Sequence, residues 1–140
     1  MTRTEFRAVL DRLAVGWAAG DAEAVAAEFA DDVRYGDPTR YRFDNSSELI
    51  PFFEPPPAGH SVVWHRWLFD EAAQSGVAEY TYEGHRRYHG AAVVEIDADG
   101  RIADWREWHH VSELDWDHFV AGPEPEREQP QVGQASDRVD

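Results

Sequence analysis

Residues 61–111 impose the strongest constraint on this chain. SVVWHRWLFDEA, GVAEYTYEGHRRYH, GAAVVEIDA and GRIADWREWHHVS are four successive segments rich in Val, Ile, Trp, Tyr and Thr, the residue types that suit a pleated, half-buried surface. Gln74-Ser75-Gly76, His89-Gly90 and Asp97-Ala98-Asp99-Gly100 separate them as turn signals. Strands joined by connections this short pair antiparallel, so the segment is expected to form a four-stranded meander. Such a sheet has to bury one face, and the preceding chain supplies the cover.

That cover is helical. Phe6, Val9, Leu10, Leu13 and Trp17 recur at helical spacing over residues 4–19, with Glu5, Arg7, Asp11 and Arg12 on the other faces. Gly20 stands where a left-handed residue ends a helix, and Asp21 is placed to cap a second one running to about Asp31. Val33 to Pro38 reads as a short strand stopped by proline, followed by a polar turn. Asn45 with Glu48 caps a short helix over SSELIPFFE, and Pro55-Pro56-Pro57 closes it. The stretch ELDWDHFVAG is expected to hold one further helical turn. The fold class is therefore α+β, with a curved antiparallel sheet wrapped over N-terminal helices and a cavity between the two layers. Residues 1–122 form the domain and 123–140 an acidic, proline-rich tail expected to be disordered.

Composition narrows the chemistry. The 140 residues carry 13 basic and 28 acidic side chains, a formal charge of −15, which repels nucleic-acid phosphates and anionic membrane. Cysteine is absent, and all basic residues are arginine, which excludes thiol nucleophiles, thiolate metal sites and Schiff bases on lysine. No apolar run is long enough to span a bilayer, and the N-terminus lacks a signal-peptide pattern, so a cytoplasmic location is expected. His65, His85, His89, His109 and His110 form no compact ligand motif, so neither a metal nor another cofactor is expected.

The order helix, helix, Phe29-Ala30-Asp31-Asp32-Val33, a strand ending Asp37-Pro38, a third helix and a meander resembles the nuclear transport factor two-like cone, in particular its SnoaL-like and ketosteroid-isomerase-like branches. The resemblance covers about residues 4–120 and is most specific from Ala19-Gly20-Asp21 to Asp37-Pro38. It places Asp37 at the general-base position of ketosteroid isomerases. It also places Leu13 and Ala92 where those enzymes carry a tyrosine and a protonated acid as oxyanion donors, so that arrangement is missing here.

The same resemblance predicts an inward set of Val63, His65, Trp67 and Phe69, then Tyr80 and Tyr82, then Ala92 and Val94, then Trp105, Glu107 and His109. A single bulge would bring in Trp64, Arg66, Arg106, Trp108 and His110 instead. Asp37, His65, Glu107, His109 and Tyr82 are the candidate catalytic residues. A carboxylate base, an imidazole or phenol donor and a carboxylate–histidine relay suffice for proton transfer. Trp17, Tyr35, Trp67, Tyr80, Trp105 and Leu13 are the candidate lining of an aromatic pocket. Each has a plainer role to set against it: a turn aspartate before proline, a half-buried histidine, a polar outer face, or core packing.

Two functions follow as expectations. One is a cofactor-independent acid/base enzyme, of isomerase, dehydratase, cyclase or epoxide hydrolase type, acting on a small apolar carbonyl, hydroxyl or epoxide compound. The other is a non-catalytic ligand-binding or assembly module. A homodimer through Trp64, Leu68 and Trp108 is compatible with both.

Overall fold

The computed structural model describes residues 1–56 and 59–123, and the tail expected to be disordered, residues 123–140, lies outside them from residue 124 onward. Helix α1 (Arg3–Ala19) opens with a capping box in which Thr2 and Glu5 satisfy each other's backbone N–H groups. It ends at Gly20 in the left-handed conformation, φ 69°. Asp21 accepts from the N–H of Ala24 and caps α2 (Ala22–Ala26). The second helix stops five residues short of the expected end near Asp31, because Phe29 already enters strand β1 (Phe29–Asp37). Phe29 and Val33 are buried among other apolar side chains, and that packing outweighs the helix propensity of the alanines before them.

Strand β1 turns through Thr39 into a three-residue strand, β2 (Tyr41–Phe43), where the sequence suggested only a polar turn. A single turn of 3-10 helix (Ser46–Glu48), capped by Asn45 as expected, leads into α3 (Leu49–Phe53). The four long strands follow: β3 (Ser61–Asp70), β4 (Ser75–Glu83), β5 (Arg87–Ile96) and β6 (Ile102–Val111). They form the expected antiparallel meander. The whole sheet is mixed, however, in the order β2-β1-β6-β5-β4-β3, with β1 parallel to β6. A chain that enters the sheet, crosses it through α3 and returns along the far edge arrives at β1 from the same direction.

Gly90 lies within β5 rather than in a turn, and the chain reverses at Gly84–Arg86 instead. A Cβ at residue 90 would stand 2.7 Å from the Cβ of His109 on β6, so the glycine serves close strand approach and not reversal.

Helices α1–α3 cover the concave face. Phe6 of α1 stacks on Phe69 at 4.6 Å and meets Trp67 at 6.3 Å, while Trp17 packs edge-on to Phe53. Phe6, Leu10, Leu13, Leu49 and Ile102 are completely buried, each worth about 1.5–3 kcal/mol relative to exposure. The last helix, α4 (Trp116–Ala121), lies on the opposite face, with Trp116 stacked on His65 at 4.1 Å and Phe119 4.6 Å from His89.

Strand β3 carries one irregularity that decides which side chains look inward. Trp64 pairs with Tyr80 but Arg66 pairs with Glu79, so His65 is an extra residue in the ladder. Val62 and Trp64 face the concave side ahead of it, and Trp67 and Phe69 face it afterwards.

Candidate active site

Between sheet and helices lies a cavity of about 260 Å³, open at one end past Arg40 and Phe52. Its walls are predominantly aromatic, with Trp17, Tyr35, Tyr41, Phe53, Trp64 and Trp105 among them. At the base of one wall stands Glu107 of β6, only 6% exposed. Its Oε1 accepts from the hydroxyls of Tyr35, at 2.9 Å, and Tyr41, at 2.5 Å. Its Oε2 accepts from Tyr80 at 3.0 Å and from the indole N–H of Trp105 at 3.1 Å. Four donors thus fill the four lone-pair positions of one carboxylate.

Three separate parts of the fold converge here. Tyr35 and Tyr41 come from β1 and β2, Tyr80 from β4, and Trp105 with Glu107 from β6. The neighbour directly opposite Glu107 on β5 is Ala92, completely buried. The position that the isomerase resemblance assigns to an acid is therefore empty, and a carboxyl stands one strand over. Leu13 likewise belongs to the core and does not line the cavity.

A directed chain of hydrogen bonds leads from the mouth to this carboxylate. Arg40 donates to His109 Nε2 at 2.9 Å, and His109 Nδ1 lies 3.2 Å from the Tyr80 hydroxyl. A guanidinium has only donors, so Nε2 is the acceptor and Nδ1 carries the proton. Tyr80 accepts that proton's hydrogen bond and gives its own to Glu107. His109 is neutral in this arrangement. Burial first, and the Arg40 charge against it, push its pKa down, although Glu107 and Asp37 pull the other way. The phenols are held protonated: burial and then the Glu107 charge raise Tyr35, Tyr41 and Tyr80 well above the usual tyrosine range.

The remaining expected residues divide. Tyr82 lines the cavity and meets His60, whose Nδ1 is 3.2 Å from its hydroxyl. Trp17, Tyr35, Tyr80 and Trp105 line it as expected, whereas Trp67 packs on Phe6 beyond it. His65 does not enter. The bulge turns it to the far side of the sheet, where Nε2 donates to Thr81 at 2.6 Å and Thr81 donates to His89 Nδ1 at 2.9 Å. His89 in turn donates from Nε2 to the carbonyl of Leu114 at 2.8 Å, so these histidines fasten the segment before α4. Val63 also faces out, 53% exposed.

Of the alternative set only Trp64 turns inward, its indole donating to the carbonyl of Leu10 at 2.7 Å. It therefore cannot belong to an outer-face interface. Leu68 and Trp108 remain exposed on that face, as do Arg66, Arg106 and His110. Asp37 is buried beside the mouth but outside the cavity lining. Its Oδ1 accepts from both the N–H and the hydroxyl of Thr39 at 2.8 Å. Desolvation raises its carboxyl, but those hydrogen bonds, with the charge of Arg40, hold it below the ordinary value. It acts first as the cap of the β1–β2 turn.

Arg40, Tyr41, His60 and Tyr88 join the site without having been expected from sequence. Tyr41 shares a two-residue repeat with Phe43, but three residues are too few to show alternation. His60 precedes β3 in a segment with no period at all.

No known family matches the chain at the level of sequence profiles. No curated protein sequence matches it either. Solved structures do. A nuclear transport factor two-like protein of unknown function from Burkholderia xenovorans superposes with a TM-score of 0.66 at 16% identity, over 78% of this chain and 85% of the other. The fold is that of the nuclear transport factor two-like proteins. An epoxide hydrolase of the LEH-like kind from Mycobacterium tuberculosis shares this fold at a TM-score of 0.64 and 22% identity, covering 76% of this chain and 84% of that one. A ketosteroid isomerase-like protein from Kribbella flavida matches at 0.67 and 22%, over 89% and 86%. At these identities the nuclear transport factor two-like likeness establishes architecture, and activity has to be argued from the site itself.

Proposed function

We propose that this chain is a cofactor-independent acid/base enzyme acting at an oxygen-bearing carbon of a small, largely apolar compound held in the aromatic cavity. The observation that supports this reading is the buried Glu107 carboxylate with its shell of phenols. A tyrosine that has given its proton to Glu107 still offers oxygen lone pairs to the cavity. A substrate hydroxyl or a water that donates to Tyr41 or Tyr80 can pass its proton through that phenol to the carboxylate. The reverse path returns the proton to another substrate atom, so the enzyme ends as it began. Arg40 at the mouth provides a cation against an oxygen that gains negative charge during the reaction. Epoxide opening and carbonyl isomerisation both need this pair of functions, and the LEH-like epoxide hydrolase and the ketosteroid isomerase-like protein among the solved neighbours are compatible with it.

A non-catalytic ligand-binding module is the second reading, and one observation favours it. Every lone-pair position of Glu107 is already filled from within the protein. The deciding experiment incubates the purified protein with a panel of cyclic epoxides and unsaturated ketones and follows product by mass spectrometry beside binding by calorimetry. Under the enzyme reading at least one compound turns over, and Glu107→Gln lowers the rate about 10²–10⁴-fold with affinity changed only a few-fold. Tight binding of several compounds with no product from any of them decides for the binding module.

A further inference from the structure

One ring of the cavity wall carries a buried polar atom that the proton path does not use. His60 lines the wall, and its Nε2 is buried with no hydrogen-bond partner among the described residues. Unpaired buried nitrogens are rare in folded proteins, because the lost hydration is not replaced. The other nitrogen, Nδ1, is engaged by the Tyr82 hydroxyl, with the two rings edge-on at 5.8 Å. A phenol is the stronger acid of the two, so Tyr82 donates and Nδ1 accepts. That fixes the proton of the neutral imidazole on Nε2, as a donor with nothing to donate to. Burial disfavours the imidazolium and keeps the ring neutral.

Both rings are held in place. Gly59 N–H donates to the Pro56 carbonyl at 2.7 Å, just ahead of His60 and the start of β3. The Tyr82 ring lies over Gly84, where a Cβ would come within 2.6 Å of the hydroxyl oxygen. Tyr82 and Tyr80 are two residues apart on one face of β4, a Cα spacing of about 7 Å. Tyr80 belongs to the Glu107 cluster and Tyr82 to His60, so neighbouring inward positions of β4 tie both groups to one wall, with aromatic surface around them.

We propose that His60 Nε2–H is the anchor for a second, acceptor oxygen of the ligand, a carbonyl or ether oxygen. The compound bound here is then a flat apolar skeleton with two oxygen functions, one addressed by the Glu107 cluster and the other by His60. This rests on the reading of the cavity as a small-molecule site and specifies what that site selects.

A matched pair of bicyclic probes tests it: a hydroxytetralone, with a hydroxyl and a ketone across the bicycle, and the tetrahydronaphthol that lacks only the ketone. Calorimetry on the wild-type chain is expected to give at least about tenfold tighter binding of the hydroxytetralone. In His60→Phe, which keeps an aromatic ring beside Tyr82, the two affinities are expected to converge while that of the tetrahydronaphthol stays within about twofold. Nitrogen NMR of the wild-type imidazoles gives a readout independent of the variant's folding. The His60 Nε2 resonance is expected to move with the hydroxytetralone and not with the tetrahydronaphthol. Equal binding of the two probes, or a ketone preference that survives His60→Phe, overturns the His60 assignment and leaves the Glu107 path standing. Binding of neither probe overturns the small-molecule reading of the cavity and this proposal with it.

Discussion

Replacing Glu107 tests the central cluster without knowledge of any substrate. In Glu107→Leu the four donors lose their acceptor together. Tyr41 is only partly buried and finds water at the cavity mouth, but Tyr35, Tyr80 and Trp105 are 4%, 5% and 1% exposed. Three stranded buried donors at about 1–3 kcal/mol each give an expected loss of about 3–9 kcal/mol. At about 3–4 °C per kcal/mol for a domain of this size, the melting temperature falls by about 9–36 °C. Glu107→Gln is expected to cost less, about 0.5–1.5 kcal/mol. An indole N–H cannot accept, so the amide oxygen takes the Oε2 position facing Trp105 and Tyr80. The amide NH2 then faces Tyr35 and Tyr41, whose hydroxyls can turn to accept. Urea denaturation with an unchanged slope measures both values. Combining Glu107→Leu with Tyr35→Phe removes one stranded donor, so the double variant is expected to be more stable than the sum of the single effects. A leucine variant within 0.5 kcal/mol of wild type, or strict additivity in the cycle, refutes the claim that these hydrogen bonds act as a unit.

Acid sensitivity follows from the histidines. Burial disfavours the protonated forms of His60, His65 and His109, so the unfolded chain binds more protons just below the ordinary value of 6.5. Stability therefore falls as pH drops through that range, and the depressed Asp37 adds a further loss only below about pH 4. A urea midpoint that is the same at pH 7.5 and pH 5 contradicts this. Gly90→Ala is expected to cost about 1–3 kcal/mol, because the new methyl meets the Cβ of His109 and the backbone of β6, and thermal melts read it directly. His65→Ala is expected to lower the melting temperature by several degrees through loss of the Thr81 and Trp116 contacts while ligand affinity in the cavity holds. Loss of affinity would place His65 back in the site.

Helix α1, its glycine end, the Asn45 cap and the meander were all legible in the sequence. Each rests on a period or a cap that involves only local residues, whereas the inward run of Trp105, Glu107 and His109 needed the family resemblance to choose between two alternating faces. What was not legible depends on pairs far apart in the chain. The parallel joining of β1 to β6 leaves no local mark. His65 was expected inward because the family resemblance sets Val63 inward and alternation carries on from there, whereas the extra residue shows itself only against the partner strand. Gly90 carries the same lesson, since a glycine for reversal and a glycine for close approach read alike until the opposing backbone is known. Asp37 was picked by its place before Pro38, and that same place makes it the turn cap.

The pairing of β1 with β6 also sets the order in which the site can come into being. Tyr35 and Tyr41 leave the ribosome early, and their shared acceptor follows 72 and 66 residues later. Until β6 docks, neither phenol has its carboxylate, β1 has no long strand beside it, and the cavity has no back wall. Contacts this distant in sequence close late, after the meander has organised. Any chain that ends before residue 107 therefore carries the aromatic residues of the pocket and none of its proton chemistry, and the last strand to be made is the one that completes the site.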